Sequence, residues 1–285
     1  MIRKVRNLLK TYGLAGLLRA AYRKIVSPRL HSFATNTQRF SDKNGLEIGG
    51  ASSFFSAQGL FPIYAVATNI DNCNFNHETT WEGQIKEGRT FHFNVDKAPG
   101  YQYVMEARDL GRLASEQYDF LISSHMLEHT ANPLLALSEW IRVIKPGGTM
   151  VLVLPHKDGT FDHRRPVTPL AHIIDDFEQG MNEDDLTHLK EILQLHDLGR
   201  DPEAGDHETF AARSRQNATN RCLHHHVFNT HSAIAMVRHA GLNILAVEAT
   251  RPYHIFILAE KPTGPSTTAI TNPQWDSPFP SDRSR

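Results

Sequence analysis

Residues 118–155 constrain the fold more tightly than any other stretch, because they spell a strand, a helix, a stop and a second strand without interruption. YDFLIS (118–123) reads as a strand, and 130–143 carries an apolar stripe of Leu134, Leu135, Leu137, Trp140 and Ile141 at helical spacing. KPGG (145–148) ends that helix, since proline cannot continue it and glycine permits the turn. TMVLVLP (149–155) is then a continuous apolar run, as expected of a central strand covered on both faces. Strands joined through a helix in this way pair in parallel. Related signals come earlier: GLEI (45–48) running into Gly49, Gly50 and Ala51, then IYAVA (63–67) and YVM (103–105). A helix at 232–240 leads to strands at 242–249 and 254–260. The residues TRPY (250–253) between them are too few for a crossover, so an antiparallel hairpin is expected. The alternation predicts an α/β chain with a mostly parallel sheet and helices on both faces.

The 285 residues suit one or two domains with a sizeable core. Shifts in composition divide them. Residues 1–30 hold eight Lys or Arg and no acid, with apolar residues at helical spacing. They read either as an interfacial arm facing anionic headgroups or as an arm packed on the protein itself. Residues 31–156 and 230–261 make the two parts of the core, 157–229 a helical insertion, and 262–285 a Pro-, Ser- and Thr-rich disordered tail. The 30 Lys and Arg balance 31 Asp and Glu, for a net charge of -1, which argues against a chain built mainly to grip nucleic acid. The sequence has no apolar run of the ~18 residues a bilayer span needs. Cys73 and Cys222 cannot build a disulfide framework. With no apolar segment and small-residue cleavage site of a secretory leader, a cytoplasmic setting is expected.

A glycine turn after the first strand lets a ligand approach the backbone at the strand's carboxyl end. The dinucleotide fingerprint G-x-G-x-x-G is not met, since GGASSF follows from Gly49. Glu47, two residues before Gly49, would repel a pyrophosphate and attract a cationic ligand. That speaks against a nicotinamide-dependent oxidoreductase.

LEIGG (46–50), YDFLISSHMLEH (118–129) and RVIKPGG (142–148), in this order, resemble the class I S-adenosylmethionine-dependent methyltransferases of the type 11-like subgroup. The resemblance covers residues 40–156 and 230–261. It implies a doubly wound, Rossmann-like sheet of seven strands with the last one reversed, and S-adenosyl-L-methionine as cofactor. Residue by residue, Glu47, Gly49 and Gly50 match the loop around the methionine part. Asn69 or Asp71, of which Asp71 has the apter chemistry, would accept bonds from the ribose hydroxyls. Glu106 matches the acid near the adenine amino group, with Ala107 offering its backbone, and Ser123 and Ser124 complete the rim.

An alcohol is a poor methyl acceptor until it loses its proton, so the protein must supply a base or a cation. His125, Glu128 and His129 follow the fourth strand, and His156 follows the fifth, at the same edge of the sheet. Three readings stand. His129 or His156 is a general base oriented by Glu128; or His125, Glu128, His129 and His156 share a divalent cation; or the Leu-Glu-His segment only closes a helix start beside the cofactor. The first is preferred, with no metal assigned. Of the triplet His224, His225 and His226, neighbours in an extended chain face opposite ways, and His225 is taken as the one lining the pocket. His172, His188, His196, His207 and His239 fall on expected helices and are read as structural or solvent-facing.

The insertion carries helix signals at 170–178, 184–196 and 207–217, and is expected to cap the strand ends and select the acceptor. His163, Arg164 and Arg165 would hold the substrate, the arginines gripping a phosphate or carboxylate; the alternative is buried ion pairs to Asp175 or Asp176. The function expected is O-methylation of a polar small molecule or a sugar or glycan acceptor, with peripheral membrane contact through residues 1–30. A non-catalytic binding or scaffold protein on the same fold is the alternative.

Overall fold

The computed structural model describes residues 29–264 and 274–283. All of the basic arm except Arg29 and Leu30 lies outside the described residues. The elements of the core are α1 (His31–Asn36), β1 (Asn44–Ile48), α2 (Ile63–Val66), β2 (Asn69–Asn74), β3 (Glu78–Thr79), β4 (Gly83–Gln84), β5 (Gly88–Phe91), β6 (Gly100–Val104), β7 (Tyr118–Ser124), α3 (Pro133–Val143) and β8 (Ile144–Pro155). The insertion adds α4 (Leu170–Glu178), α5 (Leu189–Leu195), α6 (His207–Arg215) and α7 (Asn217–Asn220). The chain then returns through α8 (Thr230–His239), β9 (Asn243–Thr250) and β10 (His254–Glu260).

Among the described residues, eight strands form one sheet in the order β5-β6-β2-β1-β7-β8-β10-β9. The strands from β6 to β8 in that order run parallel, while β10 is antiparallel to both β8 and β9. The doubly wound, Rossmann-like α/β fold and the reversed last strand are as expected. The count of seven is not: β5 adds an antiparallel edge next to β6.

Period-two alternation explains how both faces are covered. Leu121, Met150, Leu152 and Leu154 point to one face, where Leu137, Trp140, Met236 and Val237 from α3 and α8 pack on them. Phe120, Ile122, Val151 and Val153 point to the other, against Phe33, Phe40, Phe61, Ile63 and Phe256. Asn132 caps α3 by accepting from the Leu135 N–H at 3.0 Å. KPGG is not a simple turn. Tyr118 pairs with Ile144 and Phe120 with Thr149, so the segment bulges out at the start of β8.

The second strand was expected at 63–67, but that apolar run is helix α2 and tucks Ile63 and Tyr64 under the sheet. The strand itself, NIDNCN, reads as polar. Its buried Asn72 is satisfied by Gly50, Asn74 and Gln102, so it needs no apolar side chain there. The insertion divides its loyalties: Ile173 of α4 joins the main core, whereas Ile192, Ala204, Phe210 and Leu223 make a small core of their own. The tail was expected to be disordered, yet 274–283 docks. Phe279 is buried with its ring 3.9 Å from that of His156, and Asp282 accepts from the Thr230 N–H and hydroxyl at 3.0 and 2.6 Å.

Candidate active site

A cavity of about 720 Å³ opens where the parallel strands end, touching Ile48, Asn74, Ser124 and Pro155. One wall is the glycine loop. Gly49 has a φ of +79°, a conformation that favours glycine. A Cβ on Gly50 would come within 2.2 Å of the Glu47 side chain. Glu47 therefore lies beneath the loop rather than on the cavity wall. Its carboxyl accepts from the Tyr64 hydroxyl at 2.6 Å and the Ser52 N–H at 3.1 Å, and burial pushes its pKa up to about 8. Gly49, Ala51 and Ser52 face the cavity. So does Glu82, which the sequence reading missed and whose carboxyl is raised by burial against a bond from the Ala51 backbone.

Glu106 and Ala107 line the cavity as expected. Glu106 pairs with Arg221 at 2.7 Å, and burial raises its pKa. Asp71 does not reach it. With β2 running to Asn74, Asp71 sits mid-strand, accepting from the Tyr101 N–H at 2.8 Å and the Tyr118 hydroxyl at 2.9 Å. Asn74 holds the strand end instead. Ser123 is also displaced: its hydroxyl donates to the Ile48 carbonyl at 3.2 Å within the sheet, while Ser124 lines the cavity. The Ser124 Oγ is buried and has no hydrogen-bond partner among the described residues.

The opposite wall carries the histidines. His129 donates from Nδ1 to the Leu223 carbonyl at 3.0 Å, because a carbonyl can only accept. Nε2 is therefore left as the basic nitrogen of a ring that lines the cavity. Burial lowers the His129 pKa well below the usual histidine value, and burial raises Glu128 to about 7. Glu128 Oε2 is buried without a hydrogen-bond partner among the described residues. His224 stands beside them, its ring 4.6 Å from that of His129 and its Nδ1 2.5 Å from Asp162 Oδ2. Burial opposes its protonation, but the Asp162 carboxylate outweighs burial and raises its pKa. One donor atom each from Glu128, His129 and His224 lie within 4.8 Å of one another. His125 lines the cavity too, with a φ of +54° and Nε2 2.9 Å from His254 Nδ1; burial drives its pKa down to about 3.

The other expected residues lie elsewhere. His156 is buried under Phe279, its Nε2 3.2 Å from Asp282, and is no candidate base. Arg165 is buried in ion pairs, the ion-pair alternative with different partners: Asp162 at 2.9 Å and Glu191 at 2.8 Å. His163 and Arg164 both pair with Asp197, at 2.8 and 3.2 Å. His225 pairs with Asn217 Nδ2 at 3.0 Å and donates its N–H to the Glu128 carbonyl at 2.8 Å. Of the triplet it is His224 that reaches the cavity. The acid Asp162, 62 positions earlier in the chain, is what turns that ring, and no local pattern announces it.

A cavity bordered by a glycine loop at the carboxyl edge of a mostly parallel sheet is where doubly wound α/β folds bind their ligands. Residues 18–247 match the family described as a methyltransferase domain, and the chain belongs to that family. It is thus a class I, S-adenosylmethionine-dependent methyltransferase. Solved structures similar to it include a SAM-dependent methyltransferase from Aquifex aeolicus, at 11% identity over 83% of this chain and 92% of that one, with a TM-score of 0.41. Another, from Methanosarcina mazei, has 16% identity over 83% of this chain and 100% of that one, with a TM-score of 0.45. No curated protein matches the sequence. No helix among the described residues is long and apolar enough to cross a membrane.

The site suits the cofactor. Gly49 and the small Ala51 line one wall, where a Cβ on Gly49 would come within 2.8 Å of Met126, and the unpartnered Ser124 Oγ offers a bond to a bound molecule. Its volume falls within the range of about 300–1,000 Å³ usual for small-molecule sites.

Proposed function

We propose that the protein methylates an oxygen of a polar small molecule, sugar or glycan, with His129 receiving the acceptor's proton. The observation that carries this reading is the Nδ1–H bond of His129 to the Leu223 carbonyl, which leaves Nε2 basic in a ring on the cavity wall. S-adenosylmethionine, when bound, supplies a methyl group activated by its sulfonium. His129 Nε2 would take the proton from an acceptor hydroxyl held against this wall, so that its oxygen could accept the methyl group. Arg200, Asp201, Glu203, Arg213 and Arg221 on the cap side of the cavity support a polar acceptor. The basic residues of 1–30 support contact with an anionic membrane face, and a cytoplasmic setting belongs to the same reading.

His129→Ala is expected to leave S-adenosylmethionine affinity within about two-fold while turnover on the best of a panel of sugars and phenols falls at least ~100-fold. Unchanged turnover would remove His129 from the chemistry. A second reading is favoured by the clustered donors of Glu128, His129 and His224 and by the unpartnered Glu128 Oε2: these three hold a divalent cation that orients the acceptor. Loss of turnover with a chelator and recovery with magnesium or manganese would select it over the free base.

A further inference from the structure

We propose that His172, Asp176, His188 and His226 form a structural zinc site in the insertion, separate from the cavity and independent of the methyl-transfer reading. None of the four lines the cavity. They come from three segments: His172 and Asp176 one turn apart on α4, His188 at the start of α5, and His226 beyond α7. His172 Nε2 lies 3.0 Å from His188 Nε2 and 3.5 Å from Asp176 Oδ2, and Asp176 Oδ2 lies 3.7 Å from His226 Nε2. Four nitrogen and oxygen ligands set tetrahedrally about zinc stand about 3.3 Å apart, and these three of the six separations lie close to that edge. His172, Asp176 and His226 each offer a donor atom within 4.8 Å of the others, and His188 joins them through His172.

The hydrogen bonding points the same way. Asp176 Oδ2 is buried and His226 Nδ1 is buried, and neither has a hydrogen-bond partner among the described residues. Two imidazole Nε2 atoms facing each other can share only one proton, whereas a cation satisfies both lone pairs. His226 Nε2 donates to the Ala131 carbonyl at 3.3 Å, a long bond that a metal on Nε2 would replace, with the ring proton moving to the unpartnered Nδ1. Three histidines and one carboxylate with no position left open make a closed, structural site and not a catalytic one.

Its consequence lies in what the site would tie down. His226 is continuous with His225, whose N–H holds the Glu128 carbonyl, and with His224 on the cavity wall. A metal joining α4, α5 and His226 would set the position of that strip and close off the insertion.

Metal-stripped protein is titrated with cobalt(II), then zinc(II), and followed by visible absorption and thermal unfolding. One equivalent of cobalt with the intense bands of a tetrahedral centre, displaced by zinc with a rise in Tm, is expected. His172→Ala and His188→Ala, at half-buried positions, should lose those bands with the far-UV spectrum unchanged. Asp176→Asn should weaken binding at least ~10-fold. His129→Ala and His224→Ala should keep the bands, which separates this site from any cation in the cavity. Absent or octahedral bands, bands that survive loss of both His172 and His188, or bands abolished by His129→Ala would overturn the proposal.

Discussion

His224 Nδ1 and Asp162 Oδ2 lie 2.5 Å apart, and the same carboxylate holds the buried Arg165 at 2.9 Å through its other oxygen. Asp162 thus joins the cavity wall to the interior of the insertion. Its pKa is lowered, because the charges of His224 and Arg165 overcome the opposing penalty of burial.

Asp162→Asn should therefore destabilise by about 3–5 kcal/mol, since it leaves the Arg165 guanidinium buried beside a neutral amide. Urea denaturation measures this. Wild-type stability in the variant would mean that Glu191 alone satisfies Arg165.

Gly50→Ala tests the loop. Its Cβ would meet the Glu47 side chain at 2.2 Å, and the carboxyl cannot retreat while Tyr64 and Ser52 hold it. Overpacking of this kind costs about 1–3 kcal/mol. Calorimetry with S-adenosylmethionine should show affinity reduced at least ~10-fold, whereas an affinity equal to wild type would show that the loop does not contact the cofactor.

Glu47 should also make stability depend on pH. Folded, its carboxyl keeps its proton up to about 8, while unfolded it loses the proton near 4.5, the ordinary value for a glutamate. Its contribution is full below that lower value and disappears as pH climbs through the upper one, at roughly 1.4 kcal/mol per pH unit at most. Glu47→Gln cannot titrate, so its unfolding free energy should fall less steeply than wild type between these limits. Parallel pH profiles for the two proteins would contradict the assignment.

Phe279→Ala addresses the docked tail. The ring is buried and stacked on His156, so truncation should cost about 3 kcal/mol and lower the Tm by several degrees. A Tm unchanged by the substitution would mean that the tail does not dock in solution.

Much of the architecture could be read from local pattern. The strand–helix–strand unit ending at Pro155, the terminal hairpin and the helix Leu170–Glu178 all announce themselves through periodicity, which neighbours along the chain suffice to express. The polar strand Asn69–Asn74 escaped because its buried asparagine is satisfied by partners from other strands and a loop. The site was legible by region but not by residue. Glu106, Ala107, His125, Glu128 and His129 reach the cavity, whereas Asp71, Ser123 and His225 give way to Asn74, Ser124 and His224.

Linear order was enough to say that an α/β sheet would bring its glycine loop and its histidines to one edge. Which of two adjacent side chains faces the cavity depends on pairing register and on distant partners. A shift of one residue turns a strand's side chain to the other face, and a ring at an irregular position turns toward whatever acid the fold brings near. Asp162 with His224 and Asp282 with His156 are such partnerships, made by chain segments that meet only when the protein is folded.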